Sequence, residues 1–161
     1  MPHPAVRRRV RAAVVALVAV LTVACAGPRM HGMRDPGSDV TRQVARIALS
    51  LRGAPYKFGG DGPGGFDCSG LVYYAYERAG LQVPRTARGQ YDAIQRLYVR
   101  QLTPGDLVFF RTRGAFVSHV GIYVGDDRFV HALNAHEPVH VSSLDDDYWQ
   151  RRLIGAGSLV H

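Results

Sequence analysis

The hydrophobic pattern of this chain changes once along its length, from a helical period to short strand-like runs. After Asp39, a candidate N-cap, apolar residues recur every three or four positions up to Leu51, and a second helix is predicted from about Cys68 to Ala79. The later runs, separated by turn residues, are Leu107–Phe110, Val117–Val124, Arg128–Ala132, Val139–Ser143 and Leu153–Val160. Helices followed by an antiparallel meander predict an α+β fold, with N-terminal helices packed on a sheet of roughly five strands.

Two local patterns add detail to this prediction. The second helix is apolar all round, so we expect it to be central rather than to lie on a surface. Gly125-Asp126-Asp127 separates two strand-like runs and predicts a β-hairpin.

A glycine-rich turn places Cys68 at the start of that central helix. A helix N-terminus presents unpaired N–H groups and roughly +0.5 charge, which favours a thiolate, the nucleophilic form of cysteine. His119 and His131 lie in two of the strand-like runs. A cysteine on a helix and histidines on strands are the parts of a thiol hydrolase, so we predict acyl-transfer chemistry.

The N-terminal segment has the features of an export signal. Arginines at positions 7, 8, 9 and 11 precede an apolar stretch, Ala12–Val23, that is shorter than the roughly 20 residues needed to span a bilayer. The run Leu21-Thr22-Val23-Ala24-Cys25 resembles a bacterial lipobox, in which the cysteine is acylated. We therefore predict a signal peptide at 1–24, a lipidated Cys25 with a flexible tether at 25–38, and a folded domain at 39–161. The alternative is cleavage by an ordinary signal peptidase, which gives a soluble periplasmic or secreted protein.

Cysteine usage supports the lipobox. The chain has two cysteines, and a pair in an oxidising compartment normally suggests a disulfide. Acylation of Cys25 leaves Cys68 as a free thiol, whereas a Cys25–Cys68 bridge would block its chemistry.

Composition excludes several classes of function. The chain of 161 residues is long enough for one domain, and its formal net charge of +7 includes four arginines within the first 11 residues. The remaining arginines are scattered among acidic residues, so we predict no nucleic-acid partner. The histidines outside the two motifs do not make a metal-ligand spacing with Cys68, so we predict no metal and no cofactor. We expect a monomer.

Six segments, in order, give the chain a resemblance to NlpC-type cell-wall cysteine peptidases, which are papain-like. These segments are Gly53–Gly60, Phe66–Val72, Pro84–Thr86, Leu102–Phe110, Ser118–Tyr123 and Phe129–Ala132. A single catalytic domain behind a lipobox further resembles the Spr/NlpC-like subgroup of murein endopeptidase lipoproteins. Two departures are Phe58, where tryptophan is common, and a last strand that lacks the usual pair of arginines.

The resemblance implies a papain-like fold and a role for each catalytic residue. It makes Cys68 the nucleophile, His119 the general base and acid, and His131 the residue that orients His119. It also makes the Tyr56 hydroxyl, with the Cys68 backbone N–H, the oxyanion hole. The alternatives are a structural role for His131 and core packing for Tyr56, with its hydroxyl on a backbone carbonyl.

Asp67 and Ser69 flank the nucleophile and are candidate ligands for a free amine or polar group of the substrate. The alternative for Asp67 is an N-cap of the helix, for which aspartate is a preferred residue.

The resemblance implies a bacterial cell-envelope enzyme, anchored to a membrane that faces the wall, that hydrolyses amide bonds in peptidoglycan stem peptides or cross-links. A transpeptidase or amidase with the same thiol chemistry is one alternative, and a non-catalytic wall-binding lipoprotein is another. The sequence leaves open which bond is cut.

Overall fold

Residues 36–160 are described by a computed structural model, in which the helices come mainly before the sheet. The elements, in chain order, are α1 (Pro36–Ser50), β1 (Asp61–Gly62), β2 (Gly65–Phe66), α2 (Cys68–Arg78), α3 (Ala87–Ala93), β3 (Gln95–Arg96), a 3-10 turn (Val99–Gln101), β4 (Leu107–Phe110), β5 (His119–Gly125), β6 (Arg128–His131), β7 (His140–Ser143), α4 (Asp147–Gln150) and β8 (Leu153–Ser158). The predicted signal peptide and Cys25 lie outside the described residues.

The first helix begins earlier than predicted. It starts at Pro36 rather than after Asp39, so the end of the expected tether is helical. Proline is well suited to a first helical turn because it lacks the N–H that would go unsatisfied there. Asp39 lies in that first turn and pairs with Arg42.

The main sheet has six strands in the order β3-β8-β4-β5-β6-β7, and every neighbouring pair is antiparallel. The predicted α+β class is therefore confirmed, and so is the meander. The sixth strand, Gln95–Arg96, was not predicted, because two exposed polar residues carry no hydrophobic period. The predicted hairpin joins β5 to β6 through Asp126 and Asp127, both at φ 52°, which is the backbone conformation that a two-residue turn needs.

Alternating side chains of the sheet form two hydrophobic layers. On one face Leu107 and Phe109 pack with α1 and α2, and on the other Val108 and Phe110 pack with Trp149 of α4. The predicted central position of α2 is confirmed: Leu71, Val72, Ala75 and Tyr76 are all fully buried.

The glycine-rich loop before α2 is held tightly against that helix. It contains the short β1–β2 hairpin, which was predicted only as loop, and the Gly60 carbonyl accepts a hydrogen bond from the Asp67 backbone N–H at 3.0 Å. A Cβ at Gly70 would overlap the Gly60 carbonyl oxygen, so only glycine permits this approach. The loop thereby brings Tyr56, which bridges to Phe66, to the start of α2.

Candidate active site

Cys68 is the first residue of α2, as predicted, and Asp67 is the N-cap. The Asp67 carboxylate accepts hydrogen bonds from the Gly70 N–H at 2.6 Å and the Gly59 N–H at 3.0 Å. The N-cap interpretation of Asp67 is therefore confirmed. Cys68 is half-buried and its sulfur forms no disulfide. The cap fixes both the start of the helix and the position of the thiol.

The pKa of Cys68 does not follow the expectation from its helix terminus. Burial raises it, and the nearby Asp67 carboxylate raises it further. Backbone N–H groups of Val120, Ser69 and Cys68 itself act in the opposite direction without offsetting the burial. The helix terminus does supply donors, but desolvation of the thiolate is the larger effect. The resting group is a neutral thiol that needs a base.

The two histidines form a hydrogen-bonded relay behind the cleft. His119 begins β5 and His131 ends β6, and the His119 Nε2 lies 3.0 Å from the His131 Nδ1. The His131 Nε2 in turn lies 2.9 Å from the Ser142 Oγ. This leaves His119 Nδ1 as the ring nitrogen that can serve a reacting group. For Nδ1 to accept a proton, His119 must donate from Nε2 to His131, and His131 must donate from its own Nε2 to Ser142.

Aromatic side chains enclose this relay. The Trp149 indole stacks on His119 with ring centroids 5.5 Å apart and meets His131 edge-on at 4.9 Å. Burial lowers the pKa of both histidines. The charges of His140 and Arg113 lower the pKa of His119 further, and the charges of His119 and His140 do the same for His131. Both imidazoles are therefore neutral near pH 7.

Tyr56 shares a solvent-open cleft of about 450 Å³ with Cys68 and His119. Burial raises the pKa of Tyr56, with further increases from Cys68 and Asp67 and a decrease from Arg113, so its hydroxyl stays protonated. The hydroxyl has no hydrogen bond to any residue within 36–160. The alternative, a Tyr56 hydroxyl bound to a backbone carbonyl, is therefore not seen among these residues. The hydroxyl is available as a donor.

Asp67 and Ser69 also line the cleft, but sequence reasoning missed their main partner, Arg85. The guanidinium of Arg85 binds both carboxylate oxygens of Asp67 at 3.1 Å, and one of its nitrogens lies 3.1 Å from the Ser69 hydroxyl. Asp61 contacts the same guanidinium at 3.2 Å. The signal available in the sequence was the Pro84–Thr86 segment, whose role only the fold reveals.

The structure thus brings Tyr56, Asp67, Cys68, Ser69 and His119 to one cleft, with His131 directly behind His119. Across residues 36–160, no three His, Cys, Asp or Glu side chains come together as a metal site. None of the helices within that span is long and apolar enough to cross a membrane.

A helix-mounted cysteine that shares a cleft with the first of two hydrogen-bonded histidines on an antiparallel sheet is the arrangement of a papain-like α+β domain. The NlpC/P60 family matches residues 53–158, and the chain belongs to this family. The resemblance predicted from the sequence is therefore confirmed.

Several relatives support this assignment. The chain is 45% identical over 121 residues to the murein DD-endopeptidase MepH of Escherichia coli K12, covering 72% of this chain and 45% of MepH. It is 39% identical over 124 residues to the bifunctional muramidase/DL-endopeptidase CwlT of Bacillus subtilis 168, covering 75% of this chain and 37% of CwlT. The chain thus spans less than half the length of these relatives. A lipoprotein-like NLP/P60 protein of Staphylococcus aureus Mu50 aligns with a TM-score of 0.68 at 40% identity, over 76% of this chain and 42% of that one.

Proposed function

We propose that the protein is a cysteine peptidase that hydrolyses amide bonds of peptidoglycan stem peptides or cross-links. The single observation that carries the proposal is the relay from Ser142 through His131 to His119, which leaves one imidazole nitrogen for the cleft that also holds the Cys68 thiol. The names of the relatives, which include a murein DD-endopeptidase and a DL-endopeptidase, support the substrate class.

The first half of the reaction forms an acyl-enzyme. His119 Nδ1 removes the thiol proton of Cys68 as the sulfur attacks the carbonyl carbon of the scissile amide. The oxyanion accepts hydrogen bonds from the Tyr56 hydroxyl and the Cys68 backbone N–H, a type of interaction worth roughly 2.7–4 kcal/mol per donor in other enzymes. The His119 imidazolium then gives its proton to the leaving nitrogen, the C–N bond breaks and a thioester remains.

The second half releases the new carboxyl group. His119 takes a proton from a water molecule as its oxygen attacks the thioester carbon, and the same donors hold the second oxyanion. The C–S bond then breaks and the proton passes back to the Cys68 sulfur. His131 keeps His119 in the tautomer that presents Nδ1, and Ser142 does the same for His131.

Asp67 and Ser69 are further candidates for contact with a polar group of the substrate, because both line the cleft next to the nucleophile. The Asp67 carboxylate is already bound by Arg85, so a substrate amine has to share it with that guanidinium.

Digestion of purified sacculi tests the function. The wild-type chain is expected to release muropeptides whose masses identify the bond cut, whereas Cys68→Ala releases none and keeps the wild-type circular dichroism spectrum. Near-wild-type release by Cys68→Ala would overturn the thiol mechanism. Repeating the digestion with an added amine acceptor separates hydrolysis from transpeptidation, since only the latter yields an amide of that acceptor.

Lipidation of Cys25 remains a second part of the proposal, supported by the lipobox-like run and by the need to keep Cys68 unpaired. Several acyl chains anchor a protein durably, since each buried CH₂ adds about 0.8 kcal/mol. Cys25→Ser is expected to move the protein from the membrane to the soluble fraction without changing its activity on dissolved muropeptides. Mass spectrometry of the N-terminus is the direct measurement, and an unmodified Cys25 in the membrane fraction contradicts the anchor.

A further inference from the structure

The loop between β4 and β5, residues 111–118, forms one wall of the cleft and is fixed at its base by Ser118. The Ser118 hydroxyl oxygen accepts hydrogen bonds from the backbone N–H groups of Thr112 at 2.8 Å and Arg113 at 2.9 Å, and it lies 3.2 Å from the Thr112 hydroxyl. Because Ser118 directly precedes His119, these bonds tie the backbone of Arg113 to the strand that carries the base.

Arg113 is the charged residue of the cleft lining that lacks a counter-ion. The other two charged residues of the lining are engaged: Asp67 with Arg85, and Arg88 with Asp92 at 2.8 Å. The guanidinium of Arg113 makes no ion pair or hydrogen bond with any residue within 36–160. The cleft therefore presents one uncompensated positive charge.

Arg113 lines the same cleft as Tyr56, Cys68 and His119. The positive charge of Arg113 lowers the pKa of both the Tyr56 hydroxyl and the His119 imidazole. For Tyr56 this opposes the effect of burial, and for His119 it adds to it. A ligand group bound to Arg113 would therefore share the cleft with the amide being cleaved. A guanidinium offers paired N–H donors that match the two oxygens of a carboxylate.

We propose that Arg113 binds a carboxylate on the substrate residue next to the scissile amide and so selects stem peptides that carry a free carboxylate there. This inference rests on the proposed peptidase function. Amidation converts such a carboxylate into a neutral carboxamide, so the charge of Arg113 would decide which of the two forms of a stem peptide is cut.

The test compares substrates that differ in this one group. Four versions of a stem peptide carry either a carboxylate or a carboxamide, on the acyl-side or the amine-side residue of the cleaved bond. The full-length chain, purified in mild detergent, is assayed as wild type, Arg113→Gln and Arg113→Lys. Arg111→Gln is the matched control, since Arg111 lies on the same loop but lines a neighbouring groove rather than the cleft.

Arg113→Gln is expected to raise KM about tenfold for one carboxylate substrate, with a much smaller change for its carboxamide, which corresponds to about 1.4 kcal/mol. Arg113→Lys should fall between, and Arg111→Gln should match wild type. The position whose amidation removes the effect identifies the side of the bond. An equal change in kcat on all four substrates, with KM unchanged, would overturn the inference, since Arg113 would then act only through its charge on Tyr56 and His119. No change on any substrate would overturn it as well.

Binding measured on Cys68→Ala keeps this test separate from the proposed function. The carboxylate peptide is expected to bind about tenfold more tightly than the carboxamide, and Arg113→Gln in the same background should remove that difference. If the wild-type chain hydrolyses none of the peptides while the binding difference persists, the peptidase proposal fails and the carboxylate site stands. If hydrolysis occurs without a binding or KM difference, the carboxylate site fails alone.

Discussion

We expect the buried histidine pair to make the folded protein sensitive to mild acid. His119 is 2% exposed and His131 is fully buried, and this burial lowers the pKa of both. In the unfolded chain each histidine titrates near pH 6.5. As the pH falls, a group with a lower pKa in the folded state is protonated in the unfolded chain before it is protonated in the folded protein. Protonation therefore favours the unfolded chain, and stability is lost as the pH falls below about 6.5.

The size of the loss depends on the unfolded pKa as long as both rings stay neutral in the folded protein. Protonation at pH 5 stabilises an unfolded histidine by about 2 kcal/mol, and at pH 7 by almost nothing. The pair is therefore expected to lower the free energy of unfolding by about 4 kcal/mol between pH 7 and pH 5. Total stabilities are commonly about 5–15 kcal/mol, so this is a large fraction.

Urea unfolding at the two pH values measures the effect, and the protein contains its own probe. Trp149 is the single tryptophan, is buried, and stacks on His119. His131→Gln, which removes one titrating ring, should roughly halve the pH dependence. His136→Gln, at an exposed position, is the matched control and should leave it unchanged.

A change in the free energy of unfolding below about 1 kcal/mol between pH 7 and pH 5 would refute this reasoning. So small a change would mean that the folded protein takes up the protons about as readily as the unfolded chain. Native-state fluorescence gives an independent measure. A protonated imidazole quenches an indole stacked on it, so Trp149 emission should stay constant from pH 7 to pH 5 while the protein remains folded.

Two further outcomes concern the relay. His119→Ala is expected to abolish turnover, whereas His131→Ala should retain more activity, because His119 moves the proton and His131 only orients the His119 ring. The kinetics of both variants on one muropeptide test this. If His131→Ala were the more severe variant, the roles of the two histidines would be reversed. Ser142→Ala should lower kcat several-fold and shift the His131 ring nitrogen resonances, because the acceptor of the Nε2 proton is lost. Ser143→Ala, whose hydroxyl lies outside the relay, is the control, and equal effects of the two serine variants would contradict the tautomer argument.

Much of the fold could be predicted because its elements carry their own local signals. The central helix after Cys68 is apolar on all sides, and the turn at Asp126–Asp127 is marked by glycine and aspartate between two apolar runs. The two-residue strand Gln95–Arg96 was missed because two exposed polar residues carry no hydrophobic pattern that marks their pairing with β8. The start of α1 was placed late because Asp39 is a good N-cap residue in sequence terms but lies in the first turn.

The site was predictable to the extent that chemistry and family motifs mark it. Cys68 and His119 meet at one cleft and His131 lies behind, as expected. Ser142 was not found, because a serine in a polar strand looks like any other until the register of β6 and β7 sets it opposite a histidine. The predicted direction of the Cys68 pKa shift was wrong. The helix terminus is visible in the sequence, whereas the burial of the thiol depends on how the whole sheet packs on the helix.

The neutral resting thiol and the buried imidazole suggest how substrate binding and base strength are linked. Proton transfer from Cys68 to His119 creates an imidazolium in a site where burial and the charge of Arg113 both disfavour it. If a substrate carboxylate binds Arg113 as proposed above, it offsets that charge and raises the pKa of His119 in the complex. Removal of Arg113 should therefore ease protonation of His119 in the free protein while weakening recognition. A native-state titration of Arg113→Gln, followed through Trp149 quenching, should show that His119 becomes protonated at a higher pH than in wild type. An unchanged onset would mean that the charge of Arg113 does not affect the pKa of His119.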